Sequence, residues 1–150
     1  MMKHLPYCLV FFLLLGCSNS GSGLSGLVPC KGTVTLDGSP LAEALVMLIP
    51  EESGDMRSAS ATTDTNGIFT MGTLQPLDGV TPGNFIVTVV KYEKFGPAPE
   101  KAVNDDGEET TPPHPVQNVL PEKYAAKQTS DIKLTVGTSG NKNVTITLTK

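Results

Sequence analysis

Beyond Leu27, the apolar residues of this chain come only in short runs, each closed by Gly, Pro, Asn or Asp. No stretch carries a helical repeat of three or four turns. A chain punctuated in this way folds from strands, because period-two alternation buries one face and turn residues reverse the backbone. The strongest run is Phe85 to Tyr92, with Phe85, Val87 and Val89 on one face and Ile86, Thr88 and Val90 on the other. Its β-branched and aromatic side chains suit a pleated, packed surface.

Six further runs complete a set of seven predicted strands. Gly32 to Leu36 puts Val34 and Leu36 on one face and ends at Asp37-Gly38, a tight hairpin dipeptide. Ala44 to Ile49 is almost continuously apolar, which predicts a strand covered on both sides, stopped by Pro50. Ala59 to Thr63 is small and polar, as near an edge. Ile68 to Met71 follows the turn Asp64–Gly67. Ile132 to Val136 and Val144 to Leu148 alternate cleanly. Two sheets with these apolar faces together give an all-β sandwich. There is no Trp, and three of the eight aromatic residues (Tyr7, Phe11 and Phe12) precede Cys17, so Val, Ile and Leu must supply most of the core.

The first seventeen residues obey a different rule. Lys3 and His4 precede a short apolar run that ends Leu14-Leu15-Gly16-Cys17, followed by Ser18-Asn19-Ser20-Gly21. A basic start, a short greasy centre and a small residue before a cleavage point define an export signal. The run is too short to cross a bilayer comfortably. It resembles a bacterial lipoprotein signal, with Leu15 where Ala or Ser is usual. That resemblance implies removal of residues 1–16 and lipid on Cys17, which would hold the chain on a membrane. A plain secretory signal is the other reading. Residues 17–29, rich in Ser and Gly, read as a flexible tether, and residues 30–150 as one domain. Ser18 stands where an aspartate retains many lipoproteins at the inner membrane. By analogy this places the chain at the outer membrane, facing the periplasm or the cell surface.

Charge narrows the partners. Of 11 Lys and Arg, Lys3 falls in the signal, and 15 Asp and Glu remain in the mature chain. An acidic domain offers nothing to nucleic acid. Cys8 leaves with the signal, so Cys30 reads as a small buried hydrophobe. A Cys17–Cys30 disulfide is the alternative if Cys17 carries no lipid. Residues 93–119 hold five prolines and the run Asp105-Asp106-Gly107-Glu108-Glu109. They read as a long, mobile, disordered excursion between strands rather than a formed binding loop.

Four segments together resemble a known family. They are Gly32-Thr-Val-Thr-Leu-Asp-Gly-Ser-Pro-Leu41, Thr63-Asp-Thr-Asn-Gly-Ile-Phe69, Asp78-Gly-Val-Thr-Pro-Gly-Asn-Phe85 running into Ile86–Val90, and Leu120-Pro-Glu-Lys-Tyr124 followed by Ser130-Asp-Ile. Their order is similar to that in small planctomycete lipoproteins with a carboxypeptidase-regulatory-like, transthyretin-like domain. The resemblance covers about residues 28–150. It implies a seven-stranded Greek-key β-sandwich of the prealbumin type, acting as an accessory module. Phe85 departs from the commoner Tyr, and the 93–119 stretch is unusually long and acidic.

The turn motifs read as structural. Asp64 can accept backbone N–H groups across its turn, Asn66 and Gly67 complete that turn, and Pro82-Gly83 reads as a tight turn before the strongest strand. A calcium site at Asp64 and Asn66 lacks the six to eight oxygens that the ion takes. No metal or other cofactor is expected. His114 lies among prolines without the support that a general base needs. Ser130-Asp-Ile-Lys133 matches Ser-x-x-Lys, but on a strand and without its partner motifs. The carboxylates of Asp105, Asp106, Glu108 and Glu109 sit on a loop with no fixed separation. The expectation is therefore a lipid-anchored envelope domain that is not an enzyme, with a structural or protein-interaction role. The alternative is a carbohydrate- or peptide-binding module that uses Tyr92, Phe95 and Tyr124 as contacts.

Overall fold

The computed structural model describes residues 26–52, 54 and 56–150. Cys17, the signal read over residues 1–16 and most of the tether lie outside the described residues. The described chain is all-β. Its strands are β1 (Cys30–Leu36), β2 (Ser39–Pro40), β3 (Leu45–Pro50), β4 (Ala59–Thr62), β5 (Ile68–Thr70), β6 (Gly83–Val90), β7 (Tyr92–Lys94), β8 (Ala102–Val103), β9 (Glu109–Thr110), β10 (Val116–Asn118), β11 (Lys133–Val136) and β12 (Asn141–Leu148). One 3₁₀ turn, Glu122–Tyr124, joins them. All seven sequence-predicted strands are present, with ends moved by a residue or a few.

Two four-stranded sheets share one core. In the first, β12 runs parallel to β1, and the other edge of β1 is divided between β5 and β2. The second has the order β11-β6-β3-β4 with every neighbour antiparallel. Val34, Phe69, Ile146 and Leu148 of the first sheet meet Val46, Leu48, Phe85, Val87, Val89 and Val136 of the second. Asp37 and Gly38 take φ of 49° and 84°, the double left-handed turn that a two-residue hairpin needs.

The strand at Ala44–Ile49 was expected to be covered on both sides, and the structure corrects this. Val46 and Leu48 of β3 are buried, but Leu45 is exposed and Met47 and Ile49 are half-buried. The outer face of β3 is only partly covered. β6 is the strand covered on both faces, from Phe85 to Val89. The segment after the excursion covers it: the Glu122–Tyr124 turn packs against β6. There the Ser130 hydroxyl donates to the Val87 carbonyl, and the Val87 N–H donates to that of Ile132.

Two further corrections concern the ends of the domain. Sheet-like pairing begins inside the region read as tether. Val28 and Val80 exchange N–H···O bonds of 2.9 Å each, and the Pro29 carbonyl accepts the Asn141 N–H. Residues 93–119 are also not an irregular excursion. β7 pairs with β10, and β8 with β9. The five prolines fall between these short strands rather than inside them, so none removes a ladder donor.

The registers place the loops at two opposite ends. β1 and β12 start, and β5 finishes, beside Val28 and Val80. Pro50 and Val136 reach that same end through their pairing with Phe85 and Gly83. The Leu36 end of β1, the Val90 end of β6 and the β7–β10 ribbon lie at the other.

Tyr124 stitches the far end together. Its ring is 4% exposed and joins the core, and its hydroxyl accepts the Thr149 N–H at 3.2 Å and donates to the Thr149 carbonyl at 3.4 Å. The Lys123 ammonium lies 4.6 Å from the ring centroid. Tyr124→Phe keeps the ring and removes these bonds, so it should lower stability by about 1 kcal/mol. Urea unfolding of the two proteins measures this. An unchanged midpoint would show that the hydroxyl contributes nothing.

Candidate functional site

Lys91 leaves β6 and the chain runs directly into the ribbon. Asn118 closes its base: Oδ1 accepts the N–H groups of Lys91 (3.0 Å) and Leu120 (3.3 Å), while Nδ2 donates to the Leu120 carbonyl. The Val119 N–H donates to the Lys91 carbonyl at 2.9 Å, and the Phe95 N–H to that of Pro115 at 2.8 Å. Beyond this, β8 and β9 make a second hairpin. Its turn is held by Asn104, whose backbone carbonyl accepts from Gly107 and whose Oδ1 accepts from Glu108. Lys101 and Glu109 pair at 2.7 Å on its surface.

The ribbon carries exposed apolar side chains. Tyr92 is 59% exposed, Phe95 57%, and Val103 and Val116 are similarly open. Because Tyr92 pairs with Asn118 and Lys94 with Val116, the side chains of Tyr92, Lys94 and Val116 share one face. Phe95 stands three residues from Tyr92 and falls on the opposite face with Glu93 and Gln117. Tyr124 is buried. The three-aromatic contact patch expected from Tyr92, Phe95 and Tyr124 is therefore not assembled. Packing in a core or at a sheet edge is the commoner role of such aromatics, and a hydroxyl that needs a partner marks Tyr124 for it; Tyr124 takes that role and Tyr92 and Phe95 do not.

The other singled-out residues fall apart in space or into turns. Asp64 Oδ1 accepts the N–H groups of Asn66 and Ile68, each at 2.8 Å, and Gly67 takes φ of 73° with its carbonyl bonded to the Val34 N–H. These three residues build the β4–β5 turn. Pro82 bends the chain, and Gly83 is already the first residue of β6, paired with Val136. Cys30 is a free, fully buried thiol, and burial pushes its pKa up to about 11. His114 Nδ1 donates to the Pro115 carbonyl at 3.0 Å, and Lys133 pairs with Glu51, away from Ser130. Among the described residues, no three of His, Cys, Asp and Glu are placed to hold a metal ion.

Two surface features escaped the sequence reading. An open cleft of about 630 Å³ lies over the corner where β4 turns into β5. Asp64–Ile68 and Ser60–Gly72 are bonded across this corner, but Thr62 and Thr70 between them form no ladder. Lys31 and Asp64 bring opposite charges to its wall, and one oxygen of Asp64 is taken by its own turn. The second feature is the loop from Thr73 to Asp78 at the Val28 end. The Asp78 carboxylate accepts the N–H groups of Thr73 (2.6 Å), Leu74 (3.1 Å) and Gln75 (3.0 Å).

The comparisons with known proteins add little to this geometry. No protein-family model and no curated protein matches the chain. Among solved structures it is similar to the crystal structure of a 9R-lipoxygenase from Cyanothece PCC8801, at TM-score 0.38 and 13% identity, over 89% of this chain and 18% of that one. The chain thus spans under a fifth of the lipoxygenase. The expectation that this chain is not an enzyme meets a lipoxygenase as its structural neighbour and is withdrawn. At this TM-score and identity the likeness does not establish a catalytic role either.

Asp78 gives the loop a pH dependence. Its bond from the Thr73 N–H, and secondly those from Gln75 and Leu74, hold the carboxyl below the usual aspartate range. A depressed folded pKa means that the stabilisation is complete above the ordinary aspartate value, and is lost as pH falls through that range to the depressed one. Amide exchange at Thr73, Leu74 and Gln75 should therefore lose protection in acid before β6 does. Equal loss at both places would contradict it.

Proposed function

We propose that this chain is a lipid-anchored domain of the cell envelope that holds a protein-interaction surface away from its membrane. The observation that carries the reading is the separation of ends: Val28 lies at one end of the two sheets, and the ribbon of Tyr92–Lys94 and Val116–Asn118 leaves from the other. The lipoprotein-like run ending in Cys17 supports a lipid anchor upstream of Val28. Rigid strands with exposed apolar loops are common contact surfaces. The transthyretin-like, seven-stranded Greek-key arrangement belongs to the same proposal. Its support is the order of the four sequence segments and the eight strands divided between two sheets, seven of them longer than the two-residue β2. Membership of the planctomycete carboxypeptidase-regulatory-like lipoproteins rests on those segments too, as does the outer-membrane location on Ser18.

A photo-crosslinking residue placed at Tyr92 or Phe95, in the intact envelope, tests the interaction surface. One discrete adduct from the ribbon, missing when the probe replaces Thr145 on β12, is the expected result. No adduct, or the same adducts from both places, would overturn the reading. A carbohydrate-binding role has weaker support, because Tyr92 and Phe95 stand on opposite ribbon faces and cannot flank one sugar ring.

A further inference from the structure

The loop at Thr73–Asp78 is built to hold two leucines in water. Three N–H groups converge on the Asp78 carboxylate. The Thr73 hydroxyl donates to the Gly79 carbonyl at 2.7 Å. Leu77 takes φ of 68°, a left-handed conformation that a non-glycine residue keeps only when its surroundings impose it. The outcome is a projection on which Leu74 is 44% and Leu77 69% exposed. Between Thr73 and Leu77 there is no ionisable side chain. Such a tip can enter an apolar medium without stranding a charge of its own: the Asp78 carboxylate is already bonded to the backbone, and Lys31 and Asp64 stand on the wall of the cleft that Leu74 and Leu77 also line.

Its position says what medium it meets. Val80, three residues past Leu77, is bridged to Val28, so the chain toward Cys17 leaves the domain at the loop's own end. Nine residue steps separate Cys17 from Gly26. Full extension bounds that distance at about 30 Å. A lipid on Cys17 would therefore keep this end of the domain within about 30 Å of the bilayer surface, close enough for the loop to reach it.

We propose that Leu74 and Leu77 seat in the acyl–headgroup boundary of the bilayer that holds Cys17. The proposal rests on the lipid-anchor reading. Two leucines are too small an apolar surface to keep a free domain on a membrane. Beside a covalent lipid their contact is intramolecular, and it needs only to beat the local alternatives. The second contact fixes the orientation of the domain and points the ribbon outward.

The acylated protein is reconstituted into phosphatidylcholine vesicles with a nitroxide on Leu77→Cys, or on Leu74→Cys should the first variant fold poorly. Cys30 is fully buried and would not compete for the label. A label on Phe95→Cys serves as the ribbon control. Collision with oxygen relative to a water-soluble nickel chelate should rise several-fold at the loop label and stay unchanged at the ribbon. Equal access of the nickel chelate to both labels, on a protein whose intact mass includes the acyl chains, would overturn the membrane seat and leave the anchor standing. Shielding from both reagents would mean a protein neighbour and overturn it as well. A mass without acyl chains would remove the anchor and the seat together.

Discussion

Gly32→Val is expected to unfold the domain at room temperature. Gly32 sits inside β1 with a strand on each side, paired with Val144 of β12 and Phe69 of β5. A Cβ built there meets the Val144 carbonyl oxygen, and lies 2.7 Å from both the Phe69 ring and the Val144 Cβ. The obstructing atoms are a backbone carbonyl, a Cβ fixed to that same backbone and a fully buried ring, so none can swing aside. A single extra methyl in such a site costs about 1–3 kcal/mol. Valine adds two more carbons against the same wall, in a domain whose whole stability is of the order of 5–15 kcal/mol. Gly137→Ala is the control, since nothing lies within 4 Å of its added carbon and its φ is not left-handed. Far-ultraviolet circular dichroism with thermal melting reads both. A Gly32→Val protein that melts with the wild type would refute the packing described for β1.

Phe85→Ala should be nearly as damaging. Phe85 is fully buried in β6, paired with Leu134 of β11 and Pro50 of β3. Phe69 and Phe85 are the largest fully buried side chains, and most of their core neighbours are valines and leucines. Short side chains cannot reach across the gap that a lost ring leaves, so the cavity term adds to the transfer term and the loss is about 3–5 kcal/mol. Phe95→Ala removes a ring that is mostly in water and should change stability by no more than about 0.5 kcal/mol. Urea midpoints of the two variants should differ widely. Equal midpoints would mean that Phe85 does not lie in the core.

These residues also mark how far the sequence could be read. The β-branched and aromatic run Phe85–Val90 announced β6, which is dry on both faces, and the alternation at Val144–Leu148 announced β12, because a strand with one dry face has to alternate. The same letters do not say that β12 lies parallel to β1, a pairing set by tertiary packing, so Gly32 did not stand out as the point of closest approach. Ribbon strands β7 to β10 were hidden by the prolines and carboxylates around them, and local composition outweighed two asparagines whose side chains close the turns. Tyr124 was legible as a ring with a hydroxyl needing a partner. Its partner, Thr149, is far away in sequence. The loop at Leu74–Leu77 looked like an ordinary connection, since its exposure follows from three hydrogen bonds to Asp78 that no periodicity encodes.

The central claim is that a lipid on Cys17 tethers this all-β domain to a membrane. Intact-mass spectrometry of the protein extracted from the membranes of its own cells tests it most directly. The account predicts a polypeptide that starts at Cys17 and carries the added mass of acyl chains. A soluble, acyl-free chain that still includes residues 1–16 would contradict it.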